Sequence, residues 1–273
     1  MSIRNRISID TIYTRSINIE RDKDASEIAK AYIPTSRSLL TLRRFAETLN
    51  DQNLPRSWAL IGPYGSGKSS FAVFLNQLIK HKDQSSRNHF LKVIQDEDKK
   101  LSSDLSSYFN DENGLASVLI TGSPEPLAAR FLSSLNQAAK QFWSKYNGKK
   151  PAVIESINNA INQPSTTIND IIELVEEFRK AVEKSGGKGV LIVFDELGKF
   201  LEYEARHFGA NDIFLLQSLA ELAMTGHQSN LFLFSLMHQG FEQYARGLGQ
   251  DLRNEWSKIQ GRFENIPFLS ETI

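Results

Sequence analysis

The segment from Gly62 to Ser69 constrains the fold more than any other, because it reads GPYGSGKS and fits the phosphate-binding loop pattern G-x-x-x-x-G-K-[ST]. Glycines let such a loop adopt positive φ angles and turn its N–H groups inward around an anion at the start of a helix. Lys68 is expected to reach the β and γ phosphates of a nucleotide, and the Ser69 hydroxyl to hold Mg²⁺. The residues predicted to contact the nucleotide here are Gly62, Pro63, Tyr64, Gly65, Ser66, Gly67, Lys68, Ser69 and Ser70.

The sequence on both sides of this loop matches the context that the pattern requires. Ser57–Ile61 is a short apolar run and predicts a buried strand. After Lys68, apolar residues recur at helical spacing and predict a helix. They are Phe71, Phe74, Leu75, Leu78 and Ile79. The alternative of a glycine-rich turn without a ligand is therefore the weaker interpretation.

The amino-acid composition narrows the classes of protein to which the chain can belong. The chain has 273 residues, of which 40% are hydrophobic and 23% charged, as expected for a globular protein of one large or two small domains. Lys plus Arg and Asp plus Glu both number 32, so zero net charge gives no global argument for a nucleic-acid or anionic membrane partner. No cysteine is present, which excludes disulfides, thiolate zinc sites and cysteine nucleophiles and fits a cytoplasmic location. We find no signal-peptide pattern and no apolar run of membrane-spanning length.

The rest of the chain alternates apolar runs with helical periodicity. Four further strands are predicted, at Ser117–Thr121, Val190–Phe194, Leu231–Ser235 and Phe263–Phe268. This alternation predicts an α/β fold, a three-layer αβα sandwich with a mostly parallel five-stranded sheet.

The domain organisation follows from the same patterns. Residues 1–30 are predicted to form an N-terminal extension in which Ser16–Glu20 alternates like an edge strand, and residues 31–273 the P-loop domain, with Thr35 as a helix N-cap. Polar helices and loops are expected as an insertion over residues 81–114, and a connection rich in Asn, Gly and Pro over residues 145–164.

A second functional pattern follows the most hydrophobic strand. Val190–Phe194 leads directly into Asp195 and Glu196, as in a Walker B motif, where ligands of α/β proteins bind. Asp195 is expected to hold Mg²⁺ through water beside Ser69, and Glu196 to polarise the water that attacks the γ-phosphate. A solvated acid pair at a strand end is the common alternative, but the P-loop upstream favours the catalytic interpretation. The prediction is an ATPase that uses ATP and Mg²⁺.

Other P-loop classes fit less well. GTPases usually carry an N-K-x-D motif, which is absent from this sequence. The segment Ser185–Gly189 is similar to the ABC signature, but it directly precedes the Walker B strand and is interpreted as a tight loop. Small-molecule kinases normally lack the second acid that activates water.

These motifs together resemble the AAA+ and STAND groups of P-loop ATPases. The resemblance implies strand order 5-1-4-3-2 and a sensor residue after the fourth strand, at His238 with Ser235 as second choice. It also implies an arginine that acts on a neighbour's nucleotide, at Arg262 or, as second choice, Arg253. Tyr32 and Ile33 would contact the adenine. A loop histidine, a structural ion pair and ordinary packing are the respective alternatives for His238, Arg262 and Tyr32.

Longer stretches are similar to N-terminal ATPase modules of large bacterial proteins, several of them linked to phage defence. They are Tyr32–Thr35, Gly62–Ser69, Phe194–Glu202 and Trp256–Phe263. This resemblance implies a switch or motor module that self-associates or works with other domains of an antiviral defence assembly. Because no helical lid follows the fifth strand, we expect a fragment of a longer chain or an unusually short member.

Two functional alternatives stay open. A nucleic-acid-handling initiator or loader would need a basic groove, and the sequence offers only pairs such as Arg43-Arg44 and Lys149-Lys150. A nucleotide-binding scaffold that never hydrolyses is disfavoured by the intact pair Asp195-Glu196.

Overall fold

A computed structural model of the chain describes residues 16–24, 26–146, 148–207, 213–225, 230–245 and 250–269. The predicted N-terminal extension, residues 1–30, therefore lies partly outside the described residues. The predictions for residues 31–273 as a domain fall mostly within them.

The central layer is one parallel sheet. Its strands are β1 (Ser57–Ile61), β2 (Ala116–Thr121), β3 (Gly189–Asp195), β4 (Asn230–Met237) and β5 (Glu264–Pro267). They lie in the order β2-β3-β4-β1-β5, and every neighbouring pair is parallel. Read from the other edge this order is 5-1-4-3-2, so the predicted α/β P-loop sandwich and its strand order are confirmed.

Helices connect the strands on both faces of the sheet. They are α1 (Ser26–Lys30), α2 (Ser36–Asn50), α3 (Lys68–Ile79), α4 (Gln84–Glu97), α5 (Lys99–Tyr108), α6 (Leu127–Phe142), α7 (Val153–Ile161), α8 (Ile168–Lys184), α9 (Gly198–Arg206), α10 (Ile213–Met224), α11 (Phe241–Tyr244) and α12 (Gln250–Gln260). The predicted cap of α2 is confirmed, since the Thr35 hydroxyl accepts a hydrogen bond from the Ser38 N–H at 3.3 Å.

The sheet separates two hydrophobic cores. Helices α1 to α5 pack against one face, and α6 to α12 cover the other. Along β3, Val190 and Ile192 belong to the second core, whereas Leu191 and Val193 belong to the first. A strand buried on both faces needs an almost continuous apolar run, which explains why the β3 sequence shows no polar alternation.

One local prediction is wrong. Ser16–Glu20 forms an irregular stretch and turn, in which the Asn18 side-chain oxygen accepts hydrogen bonds from the N–H groups of Glu20 (3.1 Å) and Arg21 (3.0 Å). This local bonding replaces strand pairing. The connection predicted over residues 145–164 contains the short helix α7, whose buried Val153 and Ile157 form its apolar side.

Parallel pairing brings the carboxyl ends of β1, β3 and β4 to the same edge of the sheet. Ile61 at the end of β1 pairs with Met237 at the end of β4, and Phe194 of β3 lies beside Ser235 of β4. The P-loop after β1 and the acids at the end of β3 therefore meet at this edge, where α/β proteins usually bind ligands.

Candidate functional site

The loop between β1 and α3 has the backbone of an anion cradle. Gly65 and Gly67 have positive φ angles of 79° and 88°, and a Cβ at either position would meet no other atom within 4 Å. The backbone conformation, rather than crowding, is what favours glycine at these two positions. The N-cap residue of α3 is Gly67, which has no side chain to cap the helix. The first N–H groups of α3 are therefore available to bind a phosphate.

Gly62 is needed for a different reason. A Cβ on this residue would lie 1.9 Å from the Phe268 carbonyl oxygen, and the Phe268 N–H donates to the Ile61 carbonyl at 2.7 Å. The chain leaving β5 thus lies directly against the start of the loop. Gly62 permits contact between two protein segments, whereas the sequence pattern predicts only phosphate contact for the glycines of this loop.

Lys68 lies at the base of the cradle and is buried. Its ammonium donates to the carbonyls of Gly62 (2.8 Å) and Pro63 (2.9 Å) and to the Ser66 hydroxyl (3.1 Å). Burial lowers the pKa of Lys68, and the nearby Asp195 carboxylate acts in the opposite direction. All three acceptors belong to the loop itself, so the loop holds the ammonium in place.

The two halves of the site are in direct contact. The Ser69 hydroxyl, in the first turn of α3, donates to Asp195 Oδ1 at 3.1 Å. Asp195 is buried, which raises the pKa of its carboxyl to about 6, while the hydrogen bond from Ser69 opposes this shift. A hydroxyl and a carboxylate side by side are the hard oxygen donors that Mg²⁺ binds, so the residues present fit this metal.

Glu196 is held in an unusual conformation. Its φ angle is 54°, in the left-handed region that side chains rarely adopt, and its carboxylate forms an ion pair with Lys199 in α9. Gly122, just after β2, packs against it, since a Cβ there would lie 2.1 Å from the Glu196 carbonyl oxygen. The Gly122 N–H also donates to the Asp195 carbonyl at 2.7 Å.

Gly122 and Lys199 therefore support the acid pair, and neither role is predicted from the sequence. The predicted second strand ends at Thr121, just before Gly122, and the contact of Gly122 with Glu196 depends on β2 and β3 being neighbours. A glycine directly after each of β1 and β2 is the signal that could have suggested close contacts at this edge.

The sensor candidate His238 directly follows β4 at the same edge. Its ring lies 5.5 Å from the Tyr64 ring of the P-loop, centroid to centroid. Partial burial lowers the pKa of His238, and the charge of Lys68 adds to this effect. Ser235, the second choice, is fully buried inside the sheet beside Ala59 and Phe194 rather than at its edge.

The arginine candidates lie elsewhere. Arg262 sits between α12 and β5, where its Nε donates to Glu221 Oε1 of α10 and its Nη1 to the Lys258 carbonyl, both at 2.7 Å. Arg253 is exposed on α12 and donates to the Gln250 side chain at 3.0 Å. Neither arginine is hydrogen-bonded to P-loop residues among the contacts of the described chain, so a role on a neighbour's nucleotide stays a prediction.

The predicted adenine contacts differ from each other in exposure. The Tyr32 ring packs on α3, with its centroid 5.1 Å from that of Phe74 and 6.5 Å from that of Phe71. Ile33 is 77% exposed. Tyr32 thus borders the helix that carries the P-loop, while Ile33 offers an apolar side chain at the surface.

The strand order 5-1-4-3-2, the P-loop geometry and the adjoining acid pair define the fold of a P-loop NTPase. No protein-family model matches the sequence. No curated protein matches it either.

Among solved structures, the chain is similar to the Orc1 protein of Aeropyrum pernix in complex with DNA, with a TM-score of 0.41 and 15% sequence identity. The similarity covers 90% of this chain and 50% of that one, so the chain spans about half the length of its structural neighbour. The fold class rests on the strand order and the loop geometry described above.

None of the helices in the described residues is both long and apolar enough to cross a membrane.

Proposed function

We propose that this chain binds ATP with Mg²⁺ and hydrolyses it to ADP and phosphate. The observation that carries the proposal is the 3.1 Å hydrogen bond from Ser69 to Asp195, which joins the P-loop to the end of β3. The buried ammonium of Lys68 lies beside this pair. A cradle of N–H groups, a cation and two hard oxygen donors at one sheet edge suit a metal-bound triphosphate.

The residues divide the work of binding. N–H groups of the P-loop and of the first turn of α3 would bind the phosphate oxygens, and Lys68 would exchange its loop carbonyls for the β and γ oxygens. Ser69 would hold Mg²⁺ directly and Asp195 through water. When bound, Mg²⁺ neutralises charge that develops on the phosphate oxygens.

Glu196 would orient the attacking water and accept its proton at a carboxylate oxygen. The water oxygen bonds to the γ phosphorus while the bond to the β–γ bridging oxygen breaks, which leaves ADP and phosphate. In this structure one carboxylate oxygen of Glu196 is paired with Lys199, and the side chain is partly exposed to solvent. His238, at the end of β4, would be the sensor residue that contacts the γ-phosphate.

The same proposal includes a role for hydrolysis as a conformational switch or motor in a larger assembly. Support comes from the sequence resemblance to N-terminal modules of large defence-linked proteins. Arg262 would then act on the nucleotide of a neighbouring subunit, after its pair with Glu221 opens.

The test is the substitution Glu196→Gln. The amide keeps the shape of the side chain but cannot accept the proton, so we expect unchanged Mg·ATP affinity and turnover reduced by about 100-fold or more. Glu177→Gln, at an exposed position on α8, is the matched control and should leave turnover unchanged. Equal turnover in the wild type and Glu196→Gln would remove Glu196 from the mechanism.

A further inference from the structure

The outer edge of β2 forms the end of the sheet, since β3 is its only partner among the described strands. In a parallel ladder, alternate residues direct their backbone groups to the same neighbour. The Gly122 N–H donates to Asp195 at the end of β3, so even-numbered residues of β2 face β3. The backbone groups of Ser117, Leu119 and Thr121 therefore face outward.

Both ends of this edge are closed by the protein itself. At the start, the Leu115 N–H donates to the Ile79 carbonyl at 2.9 Å, and Lys80 forms a parallel bridge with Leu115. At the end, the Thr121 N–H donates to Glu20 Oε1 at 2.6 Å. Each of these hydrogen bonds replaces one that a neighbouring strand would otherwise form with β2.

The middle of the edge has no such closure. Within the described part of the chain, no hydrogen bond reaches the outward N–H and C=O groups of Ser117 and Leu119. Unpaired backbone groups on an edge strand are a template for another strand. The open stretch is short, and the closures on either side fix where an added segment would start and stop.

A cavity of about 480 Å³ lies against this open stretch. Ser117 and Leu119 form its strand side, and Ala138 and Phe142 of α6 form an apolar wall. Lys23 also lines the cavity, and its ammonium donates to the Gln141 side-chain oxygen of α6 at 2.6 Å. We call this cavity the edge groove. It offers backbone groups for pairing together with an apolar surface for alternate side chains.

The rim of the edge groove is basic. Lysines 23, 80, 82 and 145 line it together with Asp24 and Asp83. Asp24 pairs with Lys80 at 2.6 Å, and Asp83 accepts a hydrogen bond from the Ser86 N–H at the start of α4. In the described residues, Lys23, Lys82 and Lys145 lie within ion-pair distance of no carboxylate, so the rim carries excess positive charge.

We propose that the edge groove binds an extended, acidic segment of a partner protein, which adds to the sheet as a strand beside β2. Outward N–H and C=O groups would supply the main-chain hydrogen bonds, and the rim lysines would select acidic side chains. A second copy of the chain fits less well, because twofold pairing through β2 would bring the same lysines together. A nucleic acid would use the lysines but lacks the regular backbone donors and acceptors that match a strand.

The test uses the whole chain and a blocked, labelled peptide of alternating valine and glutamate, about eight residues long, the length of an ordinary strand. Fluorescence anisotropy should show saturable binding that weakens with added salt. The same peptide with lysine in place of glutamate should not bind. Absence of binding by the glutamate peptide, or equal binding of both, would overturn the proposal.

Ser117→Pro separates strand addition from simple charge attraction. Proline removes an outward N–H and fills part of the groove, but leaves the ladder to β3 intact, as tolerated on edge strands. We expect peptide affinity to fall by about tenfold or more, while Ser117→Ala, which keeps the N–H, should bind as the wild type does. Unchanged affinity in a folded Ser117→Pro variant would contradict strand pairing.

A second variant covers the case in which Ser117→Pro does not fold. Lys145 is exposed, so Lys145→Glu should fold normally and should weaken binding of the glutamate peptide by several-fold, about the effect of a surface charge pair. Unchanged binding here would overturn the proposal. The proposal would also be overturned if an oligonucleotide displaced the labelled peptide more strongly than unlabelled glutamate peptide does. It would likewise be overturned if the wild type were a dimer that Ser117→Pro or Lys145→Glu dissociates. None of these measurements depends on ATP hydrolysis, so the edge groove and the ATPase proposal can fail separately.

Discussion

Gly122→Ala should disturb the acid pair Asp195-Glu196, although neither acid is itself substituted. The added Cβ would lie 2.1 Å from the Glu196 carbonyl oxygen, 2.9 Å from its carbonyl carbon and 3.2 Å from the Asp195 carbonyl oxygen. All three atoms are backbone, so no flexible side chain can move aside. Glu196 already has a left-handed φ of 54°, and it must shift to make room.

The size of the effect follows from this clash. Overpacking of this kind costs about 1–3 kcal/mol of stability, and a displacement of about 1 Å at a reacting group can reduce turnover by roughly 100-fold. We therefore expect a modest loss of unfolding free energy in urea and a much larger loss of ATP turnover. Mg·ATP affinity should fall less than turnover does, because the P-loop itself is unaffected.

Gly261→Ala is the matched control. A Cβ there would meet its nearest atoms, the Lys258 and Ser257 carbonyl oxygens, at 3.6 Å, an ordinary contact. Stability and turnover should stay near the wild-type values. If Gly122→Ala behaves like Gly261→Ala in both assays, the argument that the end of β2 positions Glu196 is wrong.

Three further predictions concern other parts of the chain. Asp195→Asn should weaken Mg²⁺-dependent ATP binding, measured by titration with and without the metal, because an amide is a poorer ligand for a hard cation; equal metal dependence would contradict its role. Arg262→Ala should preserve ATP binding but lower turnover where the chain self-associates, by up to roughly 1,000-fold, and mixing it with Lys68→Ala should restore activity; the same loss in Glu221→Gln would instead indicate a structural ion pair. Burial lowers the pKa of His81 from 6.5 to about 4, so the unfolded chain binds the proton first and stability should fall as the pH drops from about 6.5 to about 4, by at most about 1.4 kcal/mol per pH unit. Urea unfolding of His81→Gln should show a smaller pH slope, whereas the exposed His89→Gln should keep the wild-type slope.

The sequence predicts those parts of the fold that local patterns determine. The P-loop fits because one segment carries its glycines, its cation and its hydroxyl, and β3 is evident because a strand buried on both faces must be apolar throughout. Thr35 likewise caps α2 through a contact only three residues away.

Contacts between distant segments explain what the sequence does not predict. The close contacts of Phe268 with Gly62 and of Gly122 with Glu196 depend on which strands are neighbours. The turn at Asn18 is local, but its alternating isoleucines have the pattern of a strand. The Asn18 side-chain oxygen instead accepts hydrogen bonds from backbone N–H groups, which favours a turn. The pairing of Glu196 with Lys199 depends on α9, whose start directly after β3 has no preceding cap signal.

The most direct test of the central claim is calorimetric titration of Mg·ATP into the wild type, Lys68→Ala and Lys100→Ala. Lys68 is buried in the P-loop, whereas Lys100 is exposed on α5 and serves as the matched control. Hydrogen bonds to charged groups contribute about 1.5–3 kcal/mol each, so we expect Lys68→Ala to bind at least about 100-fold more weakly. Lys100→Ala should bind as the wild type does. Unchanged affinity in a folded Lys68→Ala variant would contradict the assignment of this loop as the nucleotide site.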